Sequence, residues 1–287
     1  MTKIVECPRD AWQGLPGLIP SERKAAYLHM LIEAGFTHID VASFVSSSAV
    51  PQMADAETVL SSLNVPPHVE MIGIVVNERG AERAVKTGRI TTLGYPYSVS
   101  PNFLKKNQHQ TSEESLAQLA AIQAVGSKAR LELVVYVSMA FGNPYGDPWS
   151  IQQAVDTCKR LMDRGVRHIS LADTVGLASA GLVADLVSAV IELNREIEIG
   201  VHLHTKPADA ESLVRAAYAA NCRRFDAAIG GLGGCPFAQE ELVGNLPTEI
   251  LIRVLQELKT DLPQLNSLDR LVEASAQFAK DFGAHAC

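Results

Sequence analysis

The chain has no apolar run approaching the roughly 20 residues of a membrane-spanning helix. No stretch of lysine and arginine exceeds two residues, and the formal net charge is −7 with a pI of about 5.6. Nucleic acid and membrane surfaces are therefore not expected partners, whereas a small anionic substrate held by a local arginine or a metal remains compatible. The five cysteines, Cys7, Cys158, Cys222, Cys235 and Cys287, show no CxxC spacing. An odd count without that spacing argues against a disulfide framework and against a structural zinc site. The start "MTKIVECPRD" lacks the basic segment and apolar run of a secretory leader, and the Arg/Ser-rich form of a transit peptide. The expected location is cytoplasmic. No GxGxxG follows the first apolar run, and nothing is linker-like or low in complexity, so residues 1–287 are expected to form a single domain.

What the chain does have is apolar material, 47% of its residues, enough for a large core. It comes in eight short runs: "KIVEC", "HIDVA", "VEMIGIVV", "RITTLGY", "LELVVYVSM", "RHISLA", "EIGVHLH" and "RFDAAIG". They are too apolar for strands with one wet face and read as buried parallel strands. Helix-like segments lie between them. "SERKAAYLHMLIEAG" runs from a Ser21 cap to a stop at Gly35, and "TSEESLAQLAAIQAVG" runs from Thr111 to a stop at Gly126. "PWSIQQAVDTCKRLMDRG", "SAGLVADLVSAVIELN", "PADAESLVRAAYAAN" and "PTEILIRVLQELK" follow. Eight strand–helix units in a chain of 287 residues point to an α/β fold, a (β/α)8 TIM barrel, with "SLDRLVEASAQFAKDF" as an additional C-terminal helix.

In such a barrel function gathers at the C-terminal ends of the strands. "GVHLHTKP" places His202 and His204 two apart at the end of the seventh run, so both imidazoles project from one face. Alone, the pair reads either as metal ligands or as two polar side chains at a strand end. Arg9 and Asp10 sit where the first strand gives way to its loop, and Asp173 ends the sixth run in "LADTVG". Cys235 and Asn245 belong to "GGLGGCPFAQEELVGN", whose opening glycines let the backbone approach a ligand closely. Each also has a bland reading: a surface ion pair, a helix cap, two turn residues.

Taken together these blocks resemble the HMG-CoA lyase family, among the metal-dependent lyases and acyl-CoA-type aldol synthases that share a barrel and an Arg-Asp signature. "GLGGCPFAQ…GN", "SFVSSSAVPQM", "FLKKNQHQTSEES" and "LADTVG" carry the resemblance, which runs from about Ile4 to Leu258. It implies that Asp10, His202, His204 and Asn245 are metal ligands. Arg9 is implied as the catalytic arginine, Cys235 as the loop cysteine and Asp173 as a catalytic acid. Asp40, implied as a further catalytic residue, stands where the lyases usually carry Glu, and Gln13, Tyr136, Ser138, Gly233 and Gly234 are implied to line the substrate site. A mixed N/O ligand set with open positions suits Mg²⁺ or Mn²⁺ better than zinc.

The implied reaction is a retro-Claisen-type cleavage of an acyl-CoA thioester, 3-hydroxy-3-methylglutaryl-CoA, to acetyl-CoA and acetoacetate. Asp173 or a site water takes the hydroxyl proton, Arg9 holds the enolate oxyanion, and Cys235 returns a proton to carbon. The resemblance further implies a homodimer. The rivals are a lyase for another 3-hydroxy-3-alkyl acyl-CoA, a Claisen-type synthase related to 2-isopropylmalate enzymes, and a non-catalytic metal-binding barrel. The "GGCP" loop favours the lyases, and the intact Arg9, Asp10, Cys235 and Asn245 oppose the last. Three positions depart from the family pattern. "RDAWQ" replaces "RDGLQ", so Trp12 is expected to reshape the pocket; Thr205 follows the second histidine; and Asp40 is one methylene shorter than Glu.

Overall fold

All eight apolar runs are strands in the computed structural model, which describes residues 1–233 and 243–283. They are β1 (Lys3–Glu6), β2 (His38–Ser43), β3 (Glu70–Ile74), β4 (Thr92–Ser98), β5 (Glu132–Ser138), β6 (His168–Asp173), β7 (Glu198–Leu203) and β8 (Arg224–Ala227). Every pairing is parallel, neighbours follow chain order, and β8 pairs back onto β1 from Lys3 opposite Arg224 to Glu6 opposite Ala227. The sheet is therefore closed, and no edge is left to pair with another chain. Between β2 and β3 the register slips by one residue from Asp40 to Ala42. Such a slip changes which side chains face inward.

Eleven helices accompany the strands among the described residues: α1 (Pro8–Gln13), α2 (Ser21–Glu33), α3 (Ala56–Ser61), α4 (Glu78–Lys86), α5 (Pro101–Gln108), α6 (Ser112–Ala129), α7 (Ile151–Met162), α8 (Ala180–Leu193), α9 (Pro207–Ala219), α10 (Thr248–Glu257) and α11 (Asp269–Phe282). Their inner faces and the outer faces of the strands share one apolar layer that includes Leu28, Ile122, Val135, Leu186, Leu213 and Phe225. A second, smaller cluster lies inside the barrel: Val5 of β1, Cys7 just past it, Ile72 and Ile74 of β3, and Val134 and Tyr136 of β5. On β7 the corresponding inward position is Gly200, where a Cβ would stand 2.7 Å from Arg224 Cδ. The β6–β8 side of the interior is polar instead, with Ser170, Arg224 and Asp226 all buried. At the opposite mouth, Lys3 and Arg224 grip Glu198 at 2.9 and 3.1 Å and seal the barrel floor.

Three local expectations are corrected. Ser21 does not cap α2; Pro20 holds the cap position, and the Ser21 hydroxyl donates to Asp55 instead (2.7 Å). Gly126 does not stop α6, which runs on to Ala129 with left-handed Arg130 as its cap. Its lack of a side chain serves packing, since a Cβ there would lie 3.3 Å from Leu93 of β4. Arg9 and Asp10 are not in an open loop. Pro8, whose fixed φ suits a first helical position, starts the short helix α1 directly after β1 and buries both side chains.

Candidate active site

The C-terminal mouth of the barrel opens into a cavity of about 350 Å³. Arg9, Asp10, Gln13, Tyr136, Ser138, His202 and His204 line it, together with residues of the β2, β3 and β4 loops. Gly200 and His202 alternate along β7, so His202 points into the barrel. His204 lies one residue past the strand and is held by an antiparallel bridge to Asn245. Backbone bonds from Thr205 N to Gly244 O and from Leu246 N to Leu203 O, both 2.9 Å, fix that bridge.

Three ligand-type atoms converge. His202 Nε2 and His204 Nε2 are 3.3 Å apart, and Asp10 Oδ2 lies 3.8 and 3.5 Å from them. This is the one group of three or more His, Cys, Asp or Glu residues with metal-ligand spacing among the described residues. Two imidazoles and a carboxylate sharing one face leave further positions open, which fits an octahedral cation. Asn245 touches the cluster but presents nitrogen: Nδ2 donates to Asp10 Oδ2 and to Leu232 O, both at 3.0 Å. Ligation through its oxygen requires a half-turn of the amide.

The electrostatics follow from burial. Burial works against ionising Asp10, but Arg9 and then the nearby imidazoles of both histidines hold its carboxyl well below the usual range. Burial also opposes charge on His202, yet the neighbouring Asp10 and Asp226 carboxylates push its pKa up to about 10.

Arg9 is held rigidly. Its Nε and Nη2 donate to the Asp40 carboxylate at 3.1 and 2.5 Å, and its Nη1 donates to Asp10 (2.8 Å) and Gln13 (2.9 Å). Asp40 is fully buried behind Arg9 and does not line the cavity. The shorter side chain thus orients the guanidinium rather than meeting a ligand. Asp173 is likewise absent from the cavity wall, and its two oxygens accept from Leu177 N (2.9 Å) and Ala178 N (2.8 Å). Burial raises its pKa, while the loop amides pull the other way. In this placement its carboxylate is engaged by the loop after β6.

Trp12 corrects a second expectation. The indole faces away from the cavity and packs on Tyr27 and Phe278, with ring centroids 5.6 Å away in each case. Gly233 has φ +100, and a Cβ there would come within 2.7 Å of Ala11 Cα and 2.9 Å of Asn245 Nδ2. The glycine lets the loop after β8 press directly onto α1. Gly234 and Cys235 lie outside the described residues.

Some site residues escaped the sequence reading. Asp226, in the middle of β8, has Oδ2 3.5 Å from His202 Nδ1 and accepts from Ser170 Oγ at 2.9 Å. The signal was there, an ionisable residue inside an apolar strand, as in "HIDVA". Ser43 and Thr174 also line the cavity.

A model of the HMGL-like family matches residues 3–276. The chain belongs to the HMGL-like family. The mitochondrial hydroxymethylglutaryl-CoA lyase of Mus musculus is 34% identical to this HMGL-like protein over 259 residues, 89% of this chain and 78% of that one. The cytoplasmic 3-hydroxy-3-methylglutaryl-CoA lyase of Rattus norvegicus is 34% identical over 254 residues, 88% and 74% of the two chains. Among solved structures, an HMG-CoA lyase from A. baumannii in complex with coenzyme A and 3-methylmalate superposes with a TM-score of 0.88 at 30% identity, covering 98% of this chain and 90% of that one.

Proposed function

We propose that this HMGL-like protein is a divalent-metal-dependent carbon–carbon lyase that cleaves 3-hydroxy-3-methylglutaryl-CoA to acetyl-CoA and acetoacetate. The observation that carries the reading is the convergence of Asp10, His202 and His204 beside a clamped Arg9 on the wall of one cavity. Asp10, His202, His204 and the amide oxygen of Asn245 would hold a Mg²⁺ or Mn²⁺, which would supply Lewis acidity at the substrate's tertiary hydroxyl. Arg9 stabilises the enolate oxygen of the departing acetyl thioester. Its pairing with Asp40 sets the guanidinium plane before substrate arrives, which is what makes such a donor effective. Asp173 holds the loop after β6, and the hydroxyl proton passes to a water of the cavity. Cys235 returns a proton to the enolate carbon, for which a thiol is suited because its pKa lies below that of a hydroxyl. Gln13, Tyr136, Ser138, Gly233 and Gly234 position the substrate.

The chain works as one catalytic domain and as a homodimer in the cytoplasm; sedimentation and cell fractionation check the last two. No helix among the described residues is long and apolar enough to cross a membrane. The reaction is tested by incubating the Mn²⁺-loaded protein with 3-hydroxy-3-methylglutaryl-CoA and measuring acetoacetate. His202→Ala should lose both bound metal and most turnover. Unchanged metal stoichiometry in that variant refutes the ligand set, and cleavage of other 3-hydroxyacyl-CoA thioesters alone refutes the substrate.

A further inference from the structure

Along the seam between β7 and β8, Gly200 pairs with Arg224 and, two residues nearer the site, His202 pairs with Asp226. All four are buried, and Arg224 does not line the cavity. A Cβ at position 200 would stand 2.7 Å from Arg224 Cδ and 2.8 Å from its Cγ. The stem of Arg224 therefore fills the space that a side chain on β7 would take, and only a glycine leaves that space open.

A guanidinium buried inside a barrel is costly to keep, and an apolar side chain in its place is often neutral or stabilising. The barrel floor does not require it. Arg224 Nη1 meets Glu198 at 3.1 Å, but Lys3 already meets that carboxylate at 2.9 Å and His168 Nδ1 lies 3.3 Å from it. What Arg224 alone reaches is the other direction. Its Nε faces Asp226 Oδ1 at 3.4 Å. The second oxygen, Asp226 Oδ2, accepts from Ser170 Oγ (2.9 Å) and lies 3.5 Å from His202 Nδ1. Arg224 and Ser170 thus engage opposite oxygens of one carboxylate, which fixes its rotation and the side it turns to the imidazole. The far nitrogen of that ring, Nε2, is the one that lies 3.3 Å from His204 Nε2 and 3.8 Å from Asp10 Oδ2. Buried side-chain atoms without a hydrogen-bond partner among the described residues include Arg224 Nε and Nη2, Asp226 Oδ1 and His202 Nδ1. The contacts from Arg224 to Asp226 and on to His202 are therefore weak as stabilising bonds, and their value lies in orientation.

Resting on the metal site proposed above, we infer that Arg224 is a positioning residue for that site: it sets the His202 ring through Asp226, and Gly200 is the gap in β7 that admits it. Mn²⁺ is the probe, titrated by calorimetry into metal-stripped parent and variants, with thermal unfolding of each followed without metal. Arg224→Lys keeps the buried charge, and with it the fold, but its one nitrogen cannot serve Glu198 and Asp226 together. It should bind Mn²⁺ on the order of tenfold more weakly, the low end for loss of a supporting residue, while its unfolding temperature stays near the parent's. Gly200→Ala leaves every charge in place and forces the arginine stem aside, so it should show a loss of the same kind. In an Asp226→Asn background Arg224→Lys should cost no further affinity, because the contact it acts through is gone. Mn²⁺ affinity of Arg224→Lys within twofold of the parent overturns the role. So do losses that simply add in the double variant, which would mean that Arg224 acts on the site by some route other than Asp226. A parent that takes up no Mn²⁺ overturns the metal site, and this role falls with it; a parent that binds Mn²⁺ no better than its variants overturns this role alone.

Discussion

His202 makes different demands of its two ring nitrogens. Nε2 faces Asp10 and His204, and Nδ1 faces Asp226 at 3.5 Å. A carboxylate behind a ligating histidine fixes which nitrogen keeps its proton and raises the basicity of the other. Asp226 is itself held by the Ser170 hydroxyl, and its other oxygen lies 3.4 Å from Arg224 Nε. Burial opposes its charge, but Arg224 and His202 keep its pKa below the usual value. Asp226→Asn preserves shape and removes the anion. Titration with Mn²⁺ should show affinity reduced by about 10–100-fold, the usual cost of losing such a support. Affinity equal to the parent would leave Asp226 as a counter-ion for Arg224 alone. At this scale the sequence was legible where residues stand at or just past a strand end, as with His202 and His204. It was not legible where a role depends on register. Asp226, Ser170 and His202 come from three strands, and nothing along the chain says that they meet.

At the scale of elements, all eight strands were legible, because buried parallel strands are compact apolar runs bounded by polar turns. The helices α1, α3, α4 and α5 were not. They are six to nine residues long, too short for a helical period to stand out. Gly80 further obscures α4, where a Cβ would meet Phe44 O at 3.0 Å. The missed helix α1 matters most, because it carries Arg9 and Asp10. It is anchored by Trp12, which with Tyr27 of α2 and Phe278 of α11 forms a triangle of rings at 5.4–5.6 Å. Arg23 then lies over Phe278 at 4.9 Å. The extra C-terminal helix thus braces the helix that bears the site. Trp12→Ala removes one corner of this triangle and should cost about 3–5 kcal/mol in denaturant unfolding, as large aromatic deletions do. An indole lining the pocket would instead change KM and leave stability intact, so the two measurements decide between packing and specificity.

For the whole molecule the seam between β1 and β8 is decisive, because it closes the barrel and starts the segment that returns to the site with Asn245. Glu6, the last residue of β1, reaches across it and accepts from Ile229 N (2.9 Å) and from the Thr248 hydroxyl (2.6 Å). Burial pushes its carboxyl up to about 8 from an ordinary 4.5, although both hydrogen bonds pull the other way. The folded protein therefore keeps a proton on Glu6 that the unfolded chain has already released. Below about pH 4.5 both states hold the proton and the group contributes no difference. As pH rises from there the unfolded state gains by ionising, so stability falls, and the penalty is complete once pH exceeds about 8. Glu6→Gln keeps the shape and an acceptor for Ile229 N but cannot ionise. Other groups titrate equally in both proteins, so the difference between variant and parent isolates Glu6. Urea unfolding at about pH 5 and about pH 9 should show that difference moving in favour of the variant as pH rises. A difference that stays constant would mean that Glu6 ionises at its ordinary pKa, and that the seam carries a buried charge rather than a proton.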